Sequence, residues 1–270
     1  MINQNKLFEK YLELLKVEKS LPDLNLLRKV VRAHLIKIPF ENISKLIYKK
    51  QGMNYIPDLT TYLNGIKSYN FGGTCYANNY YLYSILKHLG YNVKLCGADM
   101  KNPDVHLISI VTIDGSEYIV DGGYAAPFLV PLPRDLEEDY VVTLGNEKYI
   151  IKPKDELGRT KVEQYTDGKL QHWYIAKPQE KKIEDFRRVI EDSYSVDAVF
   201  MNAVRITKFS ENDSLVLKNL YLTEIINNES STIKIALNDI PSVIERKFGI
   251  PKYIVKKAVC HFKELKDIYS

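Results

Sequence analysis

Apolar residues recur at helical spacing through the first ninety positions of the chain. Three segments carry apolar residues three and four positions apart, the spacing that places side chains on one face of a helix. These positions are Leu7, Tyr11, Leu14 and Leu15 in the first segment, Leu26, Leu27, Val30, Val31 and Leu35 in the second, and Tyr81, Leu82, Ile85, Leu86 and Leu89 in the third. Asp23 or Asn25 provides a cap for the second helix, and Gly90 ends the third. The pattern therefore predicts a helical region over residues 1–91.

At about residue 92 the apolar period changes from helical spacing to the alternation that is typical of β-strands. Short alternating segments separated by turn residues favour an antiparallel barrel or sandwich over residues 92–195. Beyond that point the pattern is mixed. It predicts strands over residues 203–207 and 214–217, and helices over residues 240–248 and 252–265. We therefore expect an α/β region over residues 196–270 and an α+β fold for the whole chain.

Composition and charge exclude several classes of protein. Hydrophobic residues make up 45% and charged residues 27% of the chain, which are ordinary globular values. The net charge of +4 comes with no dense basic stripe, so a nucleic-acid partner is not expected. No apolar run approaches the length of a membrane span, and the charged N-terminus does not resemble a secretory signal. Three widely spaced cysteines form neither a disulfide framework nor a metal site. We expect a soluble cytoplasmic protein with no membrane partner and no metal.

Cys75 is the first candidate for chemistry. It follows the pair Gly72-Gly73 and lies in the first turn of the third predicted helix. The positive end of the helix dipole favours the thiolate form of a cysteine at that position. Most isolated cysteines are small buried hydrophobic residues instead, so a catalytic role for Cys75 depends on a partner.

His106 and Asp121 are the expected partners, because a predicted hairpin brings them to one face. With Asp114-Gly115 as a two-residue turn, paired residue numbers sum to 229. Asp121 then faces Ile108, and side chains alternate along a strand, so it shares a face with His106. The two become diagonal neighbours about 7–8 Å apart at Cα. A three-residue turn would put them on opposite faces. The alternative role for Asp121 is that of a turn-capping residue before Gly122-Gly123.

Cys75, His106 and Asp121 together make a Cys-His-Asp constellation. Asp121 would orient the imidazole, His106 would accept the thiol proton, and Cys75 would attack an acyl carbon. These residues alone leave the acyl donor open, since a peptide, an amide or a thioester would each serve.

Five short motifs extend the pattern over nearly the whole chain. They are Ile38-Pro39-Phe40-Glu41-Asn42, Gly72-Gly73-x-Cys75-x-x-x-Asn79, His106-Leu107, Val120-Asp121-x-Gly123-Tyr124 and Lys247-Phe248-Gly249-Ile250. In this order and spacing the sequence resembles the arylamine N-acetyltransferases. The resemblance implies an N-terminal helical bundle, a central antiparallel β-barrel and a C-terminal α/β lid. It also implies a ping-pong acetyl transfer from acetyl-coenzyme A, through an acetyl-Cys75 thioester, to an aromatic amine or hydrazine.

The resemblance further implies Phe40, Tyr76 and Tyr124 as substrate-binding residues. Tyr124 stands where the family usually has Phe, and its hydroxyl is expected to alter which amines are preferred. Two other departures flank the nucleophile. Phe71 replaces an arginine that is expected to pair with the carboxylate corresponding to Glu41, and Ala77 replaces a glutamate. Either another cation, such as Arg32 or Lys45, pairs with Glu41, or Glu41 is exposed to solvent.

Two functions from other classes remain open at the level of sequence. A hydrolase of the transglutaminase or papain-like kind uses the same three side chains. A binding protein that has lost catalysis would explain the changes at Phe71 and Ala77, although the complete triad argues against it.

Overall fold

The structure, a computed structural model, describes residues 4–262 and residue 265. The predicted region 1–91 begins outside the described residues, at positions 1–3. The predicted region 196–270 and the predicted helix 252–265 also include positions outside them, at 263, 264 and 266–270.

Eight α-helices are present in the described part of the chain. They are α1 (Gln4–Leu15), α2 (Leu24–Lys37), α3 (Ile43–Lys50), α4 (Leu59–Tyr69), α5 (Cys75–His88), α6 (Arg187–Asp192), α7 (Ile240–Phe248) and α8 (Lys252–Val259). The Asp23 side chain caps α2 by accepting a hydrogen bond from the Leu26 N–H at 2.7 Å. Buried apolar residues on α1, α2 and α5 pack into one core cluster, as their spacing predicts.

An antiparallel sheet of eight strands forms the middle of the chain and curves into a nearly closed barrel. Its strands are β2 (Asn92–Asp99), β3 (His106–Ile113), β4 (Ser116–Val120), β5 (Leu132–Pro133), β6 (Tyr140–Leu144), β7 (Glu147–Ile151), β8 (Thr160–Thr166) and β9 (Lys169–Glu180). They lie in the order β5-β4-β3-β2-β9-β8-β7-β6. Helix α5 packs against β2 and β3, so the barrel wall supports the nucleophile helix.

The second sheet joins one strand of the N-terminal region to four strands of the C-terminal region. Strand β1 (Phe40–Glu41) pairs with β10 (Arg205–Phe209), and the sheet continues through β11 (Ser214–Lys218), β12 (Tyr221–Ile226) and β13 (Glu229–Lys234). The strands predicted near residues 203–207 and 214–217 correspond to β10 and β11. Strands β12 and β13 were missed. All six residues of β13 are exposed, so its sequence carries no apolar alternation.

Two large clusters that meet at α5 make up most of the described core, and a small third cluster holds Leu144, Phe209 and Ile225. One cluster holds α1, α2, α4 and the barrel interior, and the other holds α3, α7 and α8. No helix in the described part of the chain is long and apolar enough to cross a membrane.

Candidate active site

Cys75 is the first residue of α5, and a tight backbone turn brings it there. A Cβ at Gly72 would lie 1.8 Å from the Pro39 carbonyl oxygen, so any larger residue would collide with the neighbouring strand. The Cys75 residue is 8% exposed. Thr74 occupies the N-cap position but makes no side-chain capping hydrogen bond, so the helix N-terminus keeps its positive end beside the thiol.

The hairpin has the predicted register. Ile113 faces Ser116 and Ser109 faces Val120, and Asp114 and Gly115 take positive φ angles of 49° and 82°. Both φ values match a two-residue turn of the primed type. The register prediction is therefore confirmed, and it puts His106 and Asp121 on one face.

The imidazole of His106 is bonded directly to the Asp121 carboxylate. His106 Nε2 lies 2.8 Å from Asp121 Oδ2, and the two residues are 1% and 2% exposed. Burial alone would lower the pKa of His106, but the Asp121 carboxylate, together with the hydrogen bond and charge of Cys75, raises it to about 10. With Nε2 committed to Asp121, Nδ1 is left to face the thiol. A protonated imidazole next to a thiol favours the thiolate form of the cysteine.

Asn79 joins the nucleophile helix to the hairpin. Its Nδ2 donates to the Leu107 carbonyl at 2.5 Å and to Asp121 Oδ1 at 2.8 Å, and its Oδ1 accepts the Gly122 N–H at 2.7 Å. Burial would raise the pKa of Asp121, but His106, Asn79 and the Gly123 N–H lower it. The sequence marked Asn79 as part of a motif, and its spacing of one helical turn after Cys75 was the signal for this role.

Gly123 allows the helix and the hairpin to meet at van der Waals distance. A Cβ at Gly123 would lie 2.6 Å from Cys75 Cα and 2.7 Å from Asn79 Nδ2. A side chain at this position would therefore separate Cys75 from His106 and Asp121.

Tyr124, one of the predicted substrate-binding residues, lies beside His106. Its ring centroid is 5.7 Å from that of His106 and 4.8 Å from that of Tyr174. The Tyr124 hydroxyl is 2.9 Å from His172 Nδ1. The sequence predicted no role for His172. No sequence pattern showed its contact with Tyr124, which joins positions 48 residues apart.

The other two predicted substrate-binding residues have well-defined contacts. Tyr76 is 7% exposed, and its hydroxyl donates to the carbonyl of Val105, the residue before His106, at 3.0 Å. Phe40 bridges to Gly73 through its backbone, and its ring packs against Phe200 with centroids 5.5 Å apart.

Glu41 corrects an expectation from the sequence. The carboxylate is fully buried and accepts hydrogen bonds from the Ser44 N–H at 2.9 Å, the Ser44 hydroxyl at 2.5 Å and the Gly72 N–H at 3.1 Å. Burial raises the pKa of Glu41, and these hydrogen bonds oppose the shift. The expected cations bond elsewhere, Arg32 to Glu211 at the surface and Lys45 to Ser193. Both the cation and the solvent alternatives for Glu41 were wrong, because nearby backbone and hydroxyl donors occupy the carboxylate.

The two departures beside the nucleophile are buried in close-packed surroundings. The Phe71 ring lies edge-on to Tyr48, with centroids 6.2 Å apart, and tilted against Tyr69 at 5.2 Å. Ala77 is 8% exposed, and its Cβ would lie 2.8 Å from a Cβ built on Gly73. Apolar packing therefore occupies both positions.

Fold and geometry together define a class of protein: an α+β chain in which a cysteine at a helix N-terminus meets a buried histidine–aspartate pair. The sequence profile of the N-acetyltransferase family matches residues 23–255. Because that match covers most of the chain, the protein belongs to this family, and the resemblance inferred from the sequence is confirmed.

Among curated proteins, the pineal gland isozyme NAT-3 of arylamine N-acetyltransferase from Gallus gallus is 34% identical over 123 residues. The match covers 43% of this chain and 41% of that protein. The first three curated relatives are matched over 41%, 51% and 40% of their lengths, so the chain spans about half or less of each.

Solved structures resemble the whole fold. The arylamine N-acetyltransferase of Mycobacterium abscessus aligns with a TM-score of 0.79 at 16% identity, over 94% of this chain and 95% of that one. The Mycobacterium marinum enzyme in complex with CoA aligns with a TM-score of 0.77 at 20% identity, over 93% and 98%. The predicted fold class, a helical bundle followed by an antiparallel barrel and an α/β part, is confirmed.

Proposed function

We propose that the protein is an acetyl-coenzyme A-dependent N-acetyltransferase that moves an acetyl group to aromatic amines or hydrazines through a thioester on Cys75. The observation that carries the proposal is the buried His106–Asp121 pair, 2.8 Å apart, beside a cysteine at a helix N-terminus. Family membership and the likeness to enzymes of this kind support the same reaction.

The first half-reaction loads the cysteine. The Cys75 thiolate attacks the thioester carbonyl of acetyl-coenzyme A, and a C–S bond forms. The bond from the carbonyl carbon to the coenzyme A sulfur breaks, and that sulfur leaves with the proton of the His106 imidazolium. Exchange of one thioester for another is nearly balanced in energy, so the acetyl group stays reactive.

In the second half-reaction the amine nitrogen attacks the acetyl carbon and displaces Cys75 as a thiolate. The nitrogen passes one proton to His106, which returns to the imidazolium form. Throughout, Asp121 holds Nε2 and stabilises the positive charge of the imidazole.

Phe40, Tyr76 and Tyr124 are the proposed substrate-binding residues. Tyr124 has the strongest support, because its ring lies against His106 and next to Tyr174. A flat aromatic amine would find aromatic faces on this side of the imidazole.

The proposed site uses all three regions of the chain. Cys75 comes from residues 1–91, and His106 and Asp121 come from residues 92–195. Residues 196–270 contribute β10, which pairs with the strand that holds the Gly72-Gly73 turn. We keep these three boundaries as the proposed domain division.

Intact mass spectrometry after mixing with acetyl-coenzyme A tests the proposal. We expect one added acetyl group, absent in Cys75→Ala and discharged by an aromatic amine. Cys260→Ala is the matched control, because Cys260 is an exposed free cysteine, and it should acquire the acetyl group normally. Folded wild-type protein that acquires no acetyl group would overturn the proposal. Amide cleavage without coenzyme A would favour the hydrolase instead.

A further inference from the structure

Lys45 is a buried cation. The residue is 4% exposed and lies in the first turn of α3, where all residues from Ile43 to Tyr48 are buried. Its ammonium donates to the Ser193 hydroxyl at 2.6 Å, and that hydroxyl donates onward to the Ile190 carbonyl at 2.5 Å. Within the part of the chain that the structure describes, no carboxylate lies within ion-pair distance of Lys45. Burying an uncompensated charge is costly, so its position calls for an explanation.

Aromatic rings fix the direction of the ammonium. Lys45 Nζ lies 4.1 Å from the ring centroid of Tyr194 and 5.9 Å from that of Tyr76. The negative faces of such rings attract a cation but do not neutralise it. Because Tyr76 follows Cys75 directly, the Lys45 ammonium lies near the first turn of the nucleophile helix.

A small pocket confirms which elements surround the ammonium. It is lined by Lys45 together with the turn that leads to the nucleophile, by the first turn of α5 and by the segment around Tyr194. Lys45 therefore lines the same pocket as Gly73, Thr74 and Tyr76, the residues on either side of Cys75.

We propose that Lys45 is a positioning residue for the nucleophile, whose positive charge favours the thiolate of Cys75. The thiolate is then the counter-charge that Lys45 otherwise lacks. The inference rests on the proposed role of Cys75. Burial lowers the pKa of Lys45 to about 8, and the negative charge of a Cys75 thiolate opposes this shift.

The other titratable groups around the pair leave this role open to Lys45. His106 and Asp121 act on Cys75 from the hairpin, and Tyr76 acts on it from α5. The remaining groups facing this region are Tyr48 on α3, Glu41 on β1, Asp192 at the end of α6 and Tyr194 after it. Burial raises the pKa values of Tyr48, Tyr76, Tyr194 and Glu41, so the three phenols stay neutral at neutral pH. Among these groups on α3, β1 and α6, the Lys45 ammonium therefore supplies the positive charge.

The test is the pH profile of Cys75 alkylation by iodoacetamide, read as mass added to Cys75, from about pH 4 to about pH 9. Thiolate is the reactive form, so the midpoint of the profile reports how readily the thiol ionises. Lys45→Met keeps the length of the side chain and removes its charge. We expect the midpoint for Lys45→Met to rise by about one pH unit. Below the midpoint, alkylation of Cys75 should therefore be about tenfold slower than in wild type. Lys45→Arg should restore the wild-type midpoint.

Lys49→Met is the control, since Lys49 is an exposed lysine on the same helix, and its midpoint should not change. Ser193→Ala releases the ammonium from its hydrogen bond and should shift the midpoint in the same direction as Lys45→Met. It also decides the question if Lys45→Met fails to fold. An unchanged midpoint in folded Lys45→Met would overturn the proposal. If Lys45→Met does not fold, an unchanged midpoint in Ser193→Ala would overturn it instead. Alkylation needs no acetyl-coenzyme A, so a shifted midpoint in a protein that acquires no acetyl group would sink the transferase and leave this inference standing.

Discussion

The carboxylate of Glu41 accepts a hydrogen bond from the backbone N–H of Gly72 at 3.1 Å. In the other direction, the Glu41 N–H donates to the Gly73 carbonyl at 3.0 Å. One residue thus holds both glycines of the turn that delivers Cys75. The Glu41 carboxylate is held by three buried donors, which are the Gly72 N–H, the Ser44 N–H and the Ser44 hydroxyl. Each of these donors needs an acceptor, so the carboxylate satisfies them without pairing with a cation.

Replacing Glu41 by Gln should destabilise the protein. The amide presents N–H groups to donors that need acceptors, and leaving one buried donor unsatisfied costs about 1–3 kcal/mol. We expect a loss of that size in the free energy of unfolding measured with urea, together with slower acetylation of Cys75. Glu211→Gln is the control, because Glu211 pairs with Arg32 at the exposed surface, where ion pairs contribute little. Equal stability of the two variants would contradict the role given to Glu41.

Removing the side chain of Asn79 should loosen the joint between helix and hairpin. Asn79→Ala leaves the Leu107 carbonyl and the Gly122 N–H without their partner, so we expect a loss of about 2–3 kcal/mol in unfolding free energy. Asn64→Ala is the matched control, because Asn64 is exposed on α4 and alanine favours a helix. Thermal unfolding of both variants would measure the difference, and similar melting temperatures would contradict it.

The charge of Asp121 should matter more than its shape. Asp121→Asn keeps the size of the side chain but removes the charge that stabilises the imidazolium, so the acetylation rate of Cys75 should fall by about two to four powers of ten. The time course of acetylation by mass spectrometry measures this rate. Asp114→Asn, in the exposed turn of the same hairpin, should acetylate at the wild-type rate, since asparagine tolerates a positive φ. A wild-type rate in Asp121→Asn would reduce Asp121 to a turn residue.

The hydroxyl of Tyr124 should influence which amines react. Tyr124→Phe removes the contact with His172 Nδ1 and leaves an apolar face. We expect the ratio of kcat/KM between an amine with a polar ring substituent and one with an alkyl substituent to fall by about threefold or more. Tyr118→Phe, a half-buried tyrosine of β4, should leave that ratio unchanged. A ratio that is the same in all three proteins would count against the role of Tyr124.

His34 should make the fold sensitive to acid. It is fully buried, with Nδ1 2.8 Å from the Tyr11 hydroxyl, and burial lowers its pKa from 6.5 to about 3. Because the folded-state pKa is depressed, the unfolded chain binds a proton below pH 6.5 that the folded protein refuses until about pH 3. Stability therefore falls as the pH drops through this window, by about 1.4 kcal/mol between pH 7.5 and pH 5.5.

Urea unfolding at these two pH values measures the effect, and His34→Gln should lose correspondingly less stability on acidification. The His106 imidazole acts in the opposite direction over the same pH range. Its folded pKa of about 10 lies above the unfolded value, so its stabilising contribution is complete only below pH 6.5 and decreases as the pH rises from 6.5 toward 10. The loss of about 1.4 kcal/mol is therefore the His34 contribution alone, and it is measured as the difference in pH dependence between wild type and His34→Gln. Identical pH dependence in wild type and His34→Gln would show that His34 takes up a proton while folded.

Local patterns were the most predictable part of this structure. The Asp114-Gly115 turn fixes the hairpin register by itself, so the pairing of His106 with Asp121 followed from counting residues. The Asp23 cap and the apolar face of α5 are equally local. The approach of α5 to the hairpin could not be predicted in this way, because it depends on Asn79 and Gly123 contacting residues about 30 to 50 positions away.

Contacts between polar groups that are distant in the sequence could not be predicted, because no local pattern marks them. The donors to Glu41 are a hydroxyl and backbone N–H groups, which leave no charge signature in a sequence. Lys45 contacts Ser193 across 148 positions, and neither residue belongs to a repeating pattern. Strand β13 escaped because all its residues are exposed, so the order of the second sheet was visible only in three dimensions.

The two-residue strand Phe40–Glu41 connects the second sheet to the turn that precedes Cys75. It is hydrogen-bonded on one side to β10 and on the other to Gly73. The second sheet and the turn before Cys75 are therefore connected through these two residues. Residues 196–270 therefore help to place the nucleophile through backbone hydrogen bonds, although none of their side chains belongs to the proposed triad.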